Sequence, residues 1–212
     1  MLKETKLLLA KLNQDYKKFY REEYKKFDSL NHCVDLTEIY YNTLQRLLKT
    51  IPLKKIGEGS SRRVFKLEDN LVLKVAMSRA GLAQNKLEYK LRNSEFVCTS
   101  YRKEPHELPA WLVSDYCTRP FKKHIKEQFN LTIKQFDDLL WNGKRMIKKG
   151  KTYTIKPNTD RAQHLLEFVV KNDLQPGDLM SHRLTANYGI NPKGQLVITD
   201  AGLNQKVYED YY

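Results

Sequence analysis

Hydrophobic residues recur at helical spacing through the first fifty positions. Apolar side chains separated mostly by three or four residues, with Lys and Glu between them, are typical of an amphipathic helix; they are Leu9, Leu12, Tyr16, Phe19, Tyr20, Tyr24 and Phe27. A second helix is predicted from Asp35-Leu36-Thr37-Glu38, which has capping-box spacing, to about Lys49, before Pro52. Because such an apolar stripe needs a covering surface, residues 1–50 are predicted to form a helical brace for the rest of the fold. A separate interaction module is the alternative.

Residues 51–117 change to short apolar and β-branched runs. Two of these runs, 64–67 and 71–75, flank Glu68-Asp69-Asn70, which is typical of a hairpin turn. One helix is predicted around residues 82–91. This part therefore predicts a small antiparallel sheet with a single helix.

The pattern over residues 118–212 is mostly helical. Helices are predicted at 121–140 and at 160–171, with an exposed loop at 143–150. A hairpin is predicted to turn at Asn191-Pro192-Lys193-Gly194. Together with the preceding sheet, this pattern predicts an α+β fold.

Composition limits the classes of partner. The chain has 212 residues, of which 41% are hydrophobic, enough to bury a core. Its formal net charge of +13 favours polyanionic partners, namely nucleotide phosphates, nucleic acid or an acidic protein surface. Lysines are concentrated between residues 121 and 156, where acids are few; the alternative is that they only keep the protein in solution.

Neither a membrane span nor a disulfide framework is predicted. No apolar run reaches the roughly 18 residues that a bilayer requires, and charges interrupt the stretch after Met1-Leu2-Lys3-Glu4, so we expect no signal peptide and a cytoplasmic location. Cys33, Cys98 and Cys117 are widely separated and odd in number, without paired zinc spacing. All three are predicted to be reduced thiols.

Five short motifs carry residues suited to phosphate and metal chemistry. In chain order they are Gly57-Glu58-Gly59 followed by Val64, Lys74 within the apolar run 71–76, Glu88 on the predicted helix, Asp115-Tyr116-Cys117 after the apolar run 110–113, and the segment 178–202 with Asp178, Asn187 and Asp200. Backbone amides at glycines can approach phosphates closely because no Cβ intervenes. A lysine inside an apolar strand needs an anionic partner, since an unpaired buried ammonium costs several kcal/mol. Asn and Asp offer the hard oxygens that Mg²⁺ prefers.

These motifs, in this order, resemble those of the protein-kinase-like superfamily, and their compactness resembles the small truncated kinases encoded by bacteriophages. The resemblance covers residues 51–204 and implies a minimal two-lobe fold with an N-terminal helical extension: a brace at 1–50, a β-rich N-lobe at 51–117 and a mostly helical, truncated C-lobe at 118–212. It implies ATP and Mg²⁺ as cofactors and catalytic roles for Lys74 and Asp178. Metal binding is implied for Asn187 and Asp200. Nucleotide contacts are implied for Gly57, Gly59, Val64, Lys74, Glu88, Asp115, Tyr116 and Cys117.

The sequence departs from the family pattern at three places. Arg62 occupies the position of the third loop glycine, and Ala201 replaces the usual Phe after the metal aspartate. The position five residues before Asn187, where kinases have the catalytic Asp, is His182. Gly177-Asp178-Leu179 instead resembles the Gly-Asp-Leu of small kinase-like phosphotransferases, so Asp178 is favoured as base, His182 is the alternative, and the absence of a working base stays open.

The resemblance implies an ATP-dependent phosphotransferase acting on Ser, Thr or Tyr of host proteins, with an acidic protein as substrate or partner and no membrane. The alternative is a catalytically inactive kinase-like protein that binds a nucleotide or a partner. A nucleic-acid-binding protein is a third hypothesis. However, the helical spacing of Phe129, Phe136 and Trp141 is typical of a core rather than a stacking platform, and no helix-turn-helix or zinc motif is present.

Overall fold

Two compact units make up the chain. The computed structural model describes residues 1–28, 36–154 and 159–212. Unit 1 comprises Met1–Tyr89, Ser100–Tyr116 and Tyr211, and unit 2 comprises Lys90–Thr99, Cys117–Asp210 and Tyr212. Asp35 of the predicted capping box and the predicted thiol Cys33 lie outside the described residues.

Unit 1 is built on a five-stranded antiparallel sheet. Its strands are β1 (Lys55–Glu58), β2 (Arg62–Glu68), β3 (Leu71–Ala76), β4 (Ser100–Lys103) and β5 (Trp111–Asp115). The spatial order is β1-β2-β3-β5-β4, so β3 is the central strand. One helix, α3 (Arg79–Leu91), follows β3, as the pattern predicted.

Two N-terminal helices share the core of this sheet. They are α1 (Lys3–Asp28) and α2 (Leu36–Lys49). Their buried residues Leu9, Leu12 and Leu44 belong to one hydrophobic cluster with Leu73 and Trp111 of the sheet. Although α1 has 26 residues, neither it nor any other helix in the described ranges is both long and apolar enough to cross a membrane.

Unit 2 is mostly helical. Its helices are α4 (Lys123–Phe129), α5 (Ile133–Asp138), α6 (Lys144–Lys148), α7 (Asp160–Lys171), α8 (Pro176–Leu179), α9 (Leu184–Asn187) and α10 (Gln205–Tyr211). A π-helical turn, Leu139–Gly143, joins α5 to α6, and a 3-10 turn, Ser181–Arg183, joins α8 to α9. The predicted hairpin is present as β6 (Tyr188–Ile190) and β7 (Leu196–Ile198).

These elements confirm the predicted α+β class. An antiparallel sheet with one following helix in unit 1, and a helical unit 2 that carries a hairpin, are consistent with the minimal two-lobe, kinase-like fold.

Two predicted segments in unit 2 were wrong. The single helix at 121–140 is divided because Asn130 adopts a left-handed conformation (φ 54°) at the end of α4, and Thr132 then caps α5 in a capping box with Gln135. The stretch 143–150, predicted as exposed loop, is helical through α6. Lys144 is buried there. Its ammonium is compensated by an Asp173 carboxylate oxygen and a backbone carbonyl, each 2.7 Å away.

Candidate functional site

Lys74 lies on the central strand of unit 1 and forms a buried ion pair. It is opposite Val64 of β2 and Leu112 of β5. Its ammonium bonds to Oε1 of Glu88 on α3, and the two side chains are 6% and 0% exposed. The pairing expected from the sequence is therefore present. A buried ammonium needs such a partner, because its charge loses the solvation of water.

Arg62 brings a second cation to the same carboxylate. Its Nη1 lies 2.8 Å from Oε2 of Glu88 and 3.3 Å from Oδ1 of Asn85. Asn85 donates in turn to the carbonyl of Pro109 at 3.0 Å. Each oxygen of Glu88 thus faces a different cation, which fixes the orientation of the carboxylate. Sequence reasoning noted Arg62 only as a missing glycine, because its inward direction depends on the register of β2.

Gly57 lies on β1, opposite Val64 of β2, and Gly59 lies in the loop between the two strands. The Gly59 N–H donates to the carbonyl of Arg62 at 2.9 Å and closes the turn. A Cβ on Gly59 would approach no described atom more closely than 4.0 Å, so internal packing does not explain this glycine. The end of the loop is fixed to α3, because Ser61 Oγ donates to Gln84 Oε1 at 2.7 Å. The space over Gly59 is therefore open to a ligand that approaches the backbone.

The predicted nucleotide-contact residues at the end of β5 have other partners. Asp115 accepts a hydrogen bond from the Tyr101 hydroxyl at 2.7 Å. The ring of Tyr116 lies under the Lys66 ammonium, 3.9 Å from the ring centroid. Cys117 belongs to unit 2. Contact between these three residues and a nucleotide stays a prediction.

Asp178, Asn187 and Asp200 come together in unit 2. The Asn187 amide nitrogen donates to the backbone carbonyl of Asp178 at 2.7 Å, which orients its Oδ1 as the atom that could bind a metal. The Asn187 carbonyl accepts from the N–H groups of Thr199 and Asp200, at 2.8 and 3.4 Å. The short helix α8 carries Asp178, α9 ends at Asn187, and Asp200 follows β7 by two residues. Three residues spread over 23 positions of sequence are therefore joined by main-chain and amide hydrogen bonds.

The electrostatics of this cluster centre on Asp178. Partial burial, and then the neighbouring Asp200 carboxylate, raise the pKa of Asp178 above that of an ordinary aspartate, while Arg183 and His182 oppose the shift. A carboxylate whose pKa is raised is a better proton acceptor than a solvated one. This environment is compatible with the role of base predicted for Asp178.

Asp137 anchors the chain between Asp178 and Asn187. Its two carboxylate oxygens accept from the Ser181 N–H and the Ser181 hydroxyl, both at 2.6 Å. These two hydrogen bonds to Ser181 fix the start of the turn that contains the extra residues after Asp178. Sequence reasoning missed Asp137, because it lies 44 positions away on α5 and no motif includes it.

His182, the alternative base, lies on an exposed surface of unit 2. It lines a cavity of about 310 Å³ together with Arg119, Lys122, Phe121 and Thr185. Its backbone is in the 3-10 turn, and its side chain is exposed. The hydrogen bond from Asn187 reaches Asp178 and not His182. The geometry therefore groups Asp178, rather than His182, with the residues predicted to bind metal.

The donor set in unit 2 fits magnesium. Within the described ranges, no group of three or more His, Cys, Asp or Glu side chains is placed to hold a metal. However, Mg²⁺ needs only one or two protein oxygens when phosphates and water supply the others. After burial, the Asp200 carboxylate is the next contribution to the raised pKa of Asp178, and a divalent cation would relieve this repulsion. Asn187 and Asp200 are the residues that would hold it.

No protein-family model and no curated protein sequence matches this chain. Many solved structures are similar to it, and the three described next have low TM-scores. The apo form of PpkA-294 is 13% identical over 74% of this chain, which spans 59% of that chain, with a TM-score of 0.35. The ternary complex of APH(2")-IIa with streptomycin and ATP is 15% identical over 80% of this chain and 72% of that one (TM-score 0.31). The gentamicin complex of APH(2")-IIa is 16% identical over 81% and 71% (TM-score 0.32). Likenesses with TM-scores below 0.5 do not decide a fold or an activity.

Proposed function

We propose that this protein is an ATP-dependent phosphotransferase that uses Mg²⁺. The observation that carries the proposal is the grouping of Asp178, Asn187 and Asp200 in unit 2, with a raised pKa at Asp178. Phosphoryl transfer requires mainly positioning and charge neutralisation, since its transition state is loose and its charge lies on the outer oxygens. A base, an amide oxygen and a carboxylate are suited to that task.

Unit 1 would supply the groups for the nucleotide phosphates. Lys74, oriented by Glu88, would donate to phosphate oxygens, and the amides of the loop that contains Gly59 would add hydrogen bonds without steric hindrance. Bound at Asn187 and Asp200, Mg²⁺ would neutralise negative charge on the phosphates.

Asp178 would act on the acceptor hydroxyl. As the acceptor oxygen bonds to the γ-phosphorus, the bond from phosphorus to the β,γ-bridging oxygen breaks and ADP leaves. The hydroxyl proton passes to the Asp178 carboxylate. A general base of this kind accelerates proton transfer about 10²–10⁴-fold.

An acidic protein is our proposed acceptor, through Ser, Thr or Tyr. The cavity of about 310 Å³ beside the Ser181–Arg183 turn is lined by Arg119, Lys122 and His182. These basic side chains would attract carboxylates that flank the acceptor hydroxyl, and the net charge of +13 would assist association.

The test is transfer of labelled γ-phosphate from Mg·ATP to matched peptides with acidic or basic residues around one serine. Transfer to the acidic peptide is expected to exceed transfer to the basic one. Asp178→Asn should abolish transfer while ATP binding persists, whereas His182→Ala should retain appreciable transfer. An inactive histidine variant beside an active aspartate variant would reverse the assignment of the base.

Nucleotide binding is measured separately by calorimetry. Lys74→Ala and Asp200→Ala should each abolish binding of Mg·ATP. If both variants bind as the parent does, the phosphotransferase proposal is wrong.

A non-catalytic nucleotide-binding role is the second candidate. Arg62 replaces the third loop glycine, and nine positions rather than five separate Asp178 from Asn187. Binding of Mg·ATP without transfer to any acceptor, and with an affinity for Mg·ATP that Asp178→Asn does not change, would favour this role.

A further inference from the structure

Two thiols lie side by side in unit 2. The Sγ atoms of Cys98 and Cys117 are 3.5 Å apart, although 19 positions separate them in the sequence. Neither forms a disulfide in this structure; Cys98 is 1% exposed, and Cys117 is partly exposed. An oxidant can therefore reach one sulfur while the other is held close behind it.

The hairpin β6–β7 fixes both residues through their neighbours. The Cys98 N–H donates to the carbonyl of Ile198 on β7 at 2.9 Å. Thr118, next to Cys117, exchanges two backbone hydrogen bonds with Ile190 on β6, both 2.9 Å long. The sulfurs thus approach each other because two segments flank the same hairpin.

The same hairpin carries the candidate metal ligands. A Cβ on Gly189 would lie 2.4 Å from the Cβ of Cys117 and 2.9 Å from Cγ2 of Thr199, so the backbone of Gly189 packs closely against these two side chains. Gly189 is two residues after Asn187, and Thr199 precedes Asp200 and donates to the Asn187 carbonyl at 2.8 Å. Cys117 is therefore connected, through Gly189 and Thr199, to both residues that would hold Mg²⁺.

We propose that Cys98 and Cys117 are a redox modification site, whose disulfide weakens the metal-binding turn at Asn187 and Asp200. The regulatory part rests on the proposed function, whereas formation of the disulfide does not. A disulfide would require the sulfurs to approach from 3.5 Å to about 2.05 Å. Because Gly189 is packed against Cys117, this movement disturbs the hairpin.

The oxidant is a small-molecule disulfide such as oxidised glutathione. The Cys117 thiolate attacks one sulfur of that disulfide, forms a mixed disulfide and releases one thiolate. The thiolate of Cys98 then attacks the Cys117 sulfur, closes the protein disulfide and releases the second thiolate. The protein loses two electrons and two protons, and the small disulfide is reduced to two thiols. Disulfides of this kind in reducing compartments are transient and act as sensors.

The test uses the full chain with Cys33→Ser, so that only two thiols are present. After treatment with oxidised glutathione, mass spectrometry without reductant should show a monomer lighter by two hydrogen atoms, with one peptide pair joined through Cys98 and Cys117. A stable glutathione adduct on Cys117 with no internal disulfide would overturn the proposal.

The second readout is affinity for Mg·ATP before and after oxidation. Oxidation should weaken it about tenfold, within the range typical of coupled sites, and a thiol reductant should restore it. The matched control adds Cys98→Ser, which keeps Cys117 but cannot close the disulfide. Oxidation should not cause the tenfold loss of affinity for Mg·ATP in this variant. An internal disulfide that leaves affinity unchanged would overturn the regulatory part.

The two proposals fail in different ways. If the reduced protein does not bind Mg·ATP at all, the proposed function fails. The disulfide is then judged by the mass measurement, and its effect on the turn by hydrogen exchange of the peptide that contains residues 187–200. Unaltered exchange there on oxidation would overturn the coupling between thiols and turn.

Discussion

Glu88 is the residue on which unit 1 concentrates its buried charge. Lys74 binds one of its oxygens and Arg62 binds the other, and all three side chains are at most 6% exposed. Removal of one partner from such a cluster is costly, because the remaining charges stay buried without compensation. Solvated pairs contribute far less.

Arg62→Met is expected to lower the free energy of unfolding by about 3 kcal/mol, since Glu88 loses a buried partner. The adjacent Arg63 is a matched control, because it pairs with Glu58 at 3.1 Å while both side chains are about one-third exposed. Arg63→Met should cost less than about 1 kcal/mol. Urea unfolding of both variants measures the difference; equal midpoints would contradict a structural role for the Arg62 pair.

If the proposed function holds, the pH dependence of transfer should report on Asp178. Burial and Asp200 raise the pKa of Asp178. Because a base acts only when it is deprotonated, the pH–activity profile should have an acidic limb on which activity falls as Asp178 becomes protonated. This limb should lie at a higher pH than an ordinary aspartate, of pKa about 3.9, would give. Arg183 lowers the pKa of Asp178, so Arg183→Met should move this limb to still higher pH. Arg145→Met removes an exposed arginine that does not contribute to the shift and should leave the limb unmoved. A limb displaced equally by both variants would exclude Asp178 as its source.

At the scale of elements, α1 stabilises the sheet from one face. Leu9, Leu12 and Tyr16 lie at helical spacing and are almost completely buried, whereas Leu7 on the same helix is 62% exposed. Burial of a leucine side chain contributes about 1.5–3 kcal/mol. In addition, Arg46 of α2 binds Glu22 and Glu23 of α1 at 2.5 and 2.7 Å, so the two helices dock together.

Leu12→Ala is therefore expected to lower the free energy of unfolding by about 3 kcal/mol, because it removes buried volume from the shared core. Leu7→Ala should change it by less than about 0.5 kcal/mol. Deletion of residues 1–50 should yield aggregated or unfolded protein. A deletion variant that stays in solution and melts cooperatively would instead identify these residues as a detachable module.

Element types were largely predictable from periodicity, and close approach in space was not. The bounds of α7 follow directly from apolar spacing, and the position of the hairpin turn follows from its turn residues. The prediction of one continuous helix over 121–140 was wrong because a single left-handed residue, Asn130, outweighs a continuous apolar pattern. The burial of Lys144 on α6 involves a contact with Asp173, and the contacts of Arg62 and Asp137 are with residues distant in the sequence, so neither could be predicted from local pattern. The order of the motifs indicated Lys74, Asn187 and Asp200 as candidate site residues. The contacts that Lys74 makes with Glu88, and Asn187 with Asp200, could be seen only in the folded structure.

At the scale of the whole molecule, the basic side chains differ in their exposure to solvent. The net charge is +13, but not every lysine of the stretch 121–156 faces solvent. Lys144 is buried, and Lys148 binds Asp173 at 2.8 Å, whereas Lys149 and Lys151 are exposed. Long-range attraction of the proposed acidic partner should therefore come from the exposed lysines and from the residues around the 310 Å³ cavity.

Poly-glutamate is a probe for this attraction. Its binding should weaken steeply as salt rises, because the screening length falls from about 10 Å at 0.1 M to about 3 Å at 1 M. Paired charge reversals, Arg119→Glu with Lys122→Glu and Lys149→Glu with Lys151→Glu, separate the two surfaces. The first pair should weaken poly-glutamate binding more, without an effect on affinity for Mg·ATP. Binding that is insensitive to salt would reduce these side chains to solubilising surface.

The hydrogen bond from Trp111 Nε1 to Asn13 Oδ1, 3.1 Å long, joins residues 98 positions apart. During synthesis at about 5–20 residues per second, roughly 5–20 s separate the emergence of α1 from that of its partner strand. Over this interval the nascent helix displays Leu9, Leu12 and Tyr16 without the sheet that later buries them. The core of unit 1 can therefore be completed only after β5 has been synthesised, and α1 waits longest for the contacts that bury it.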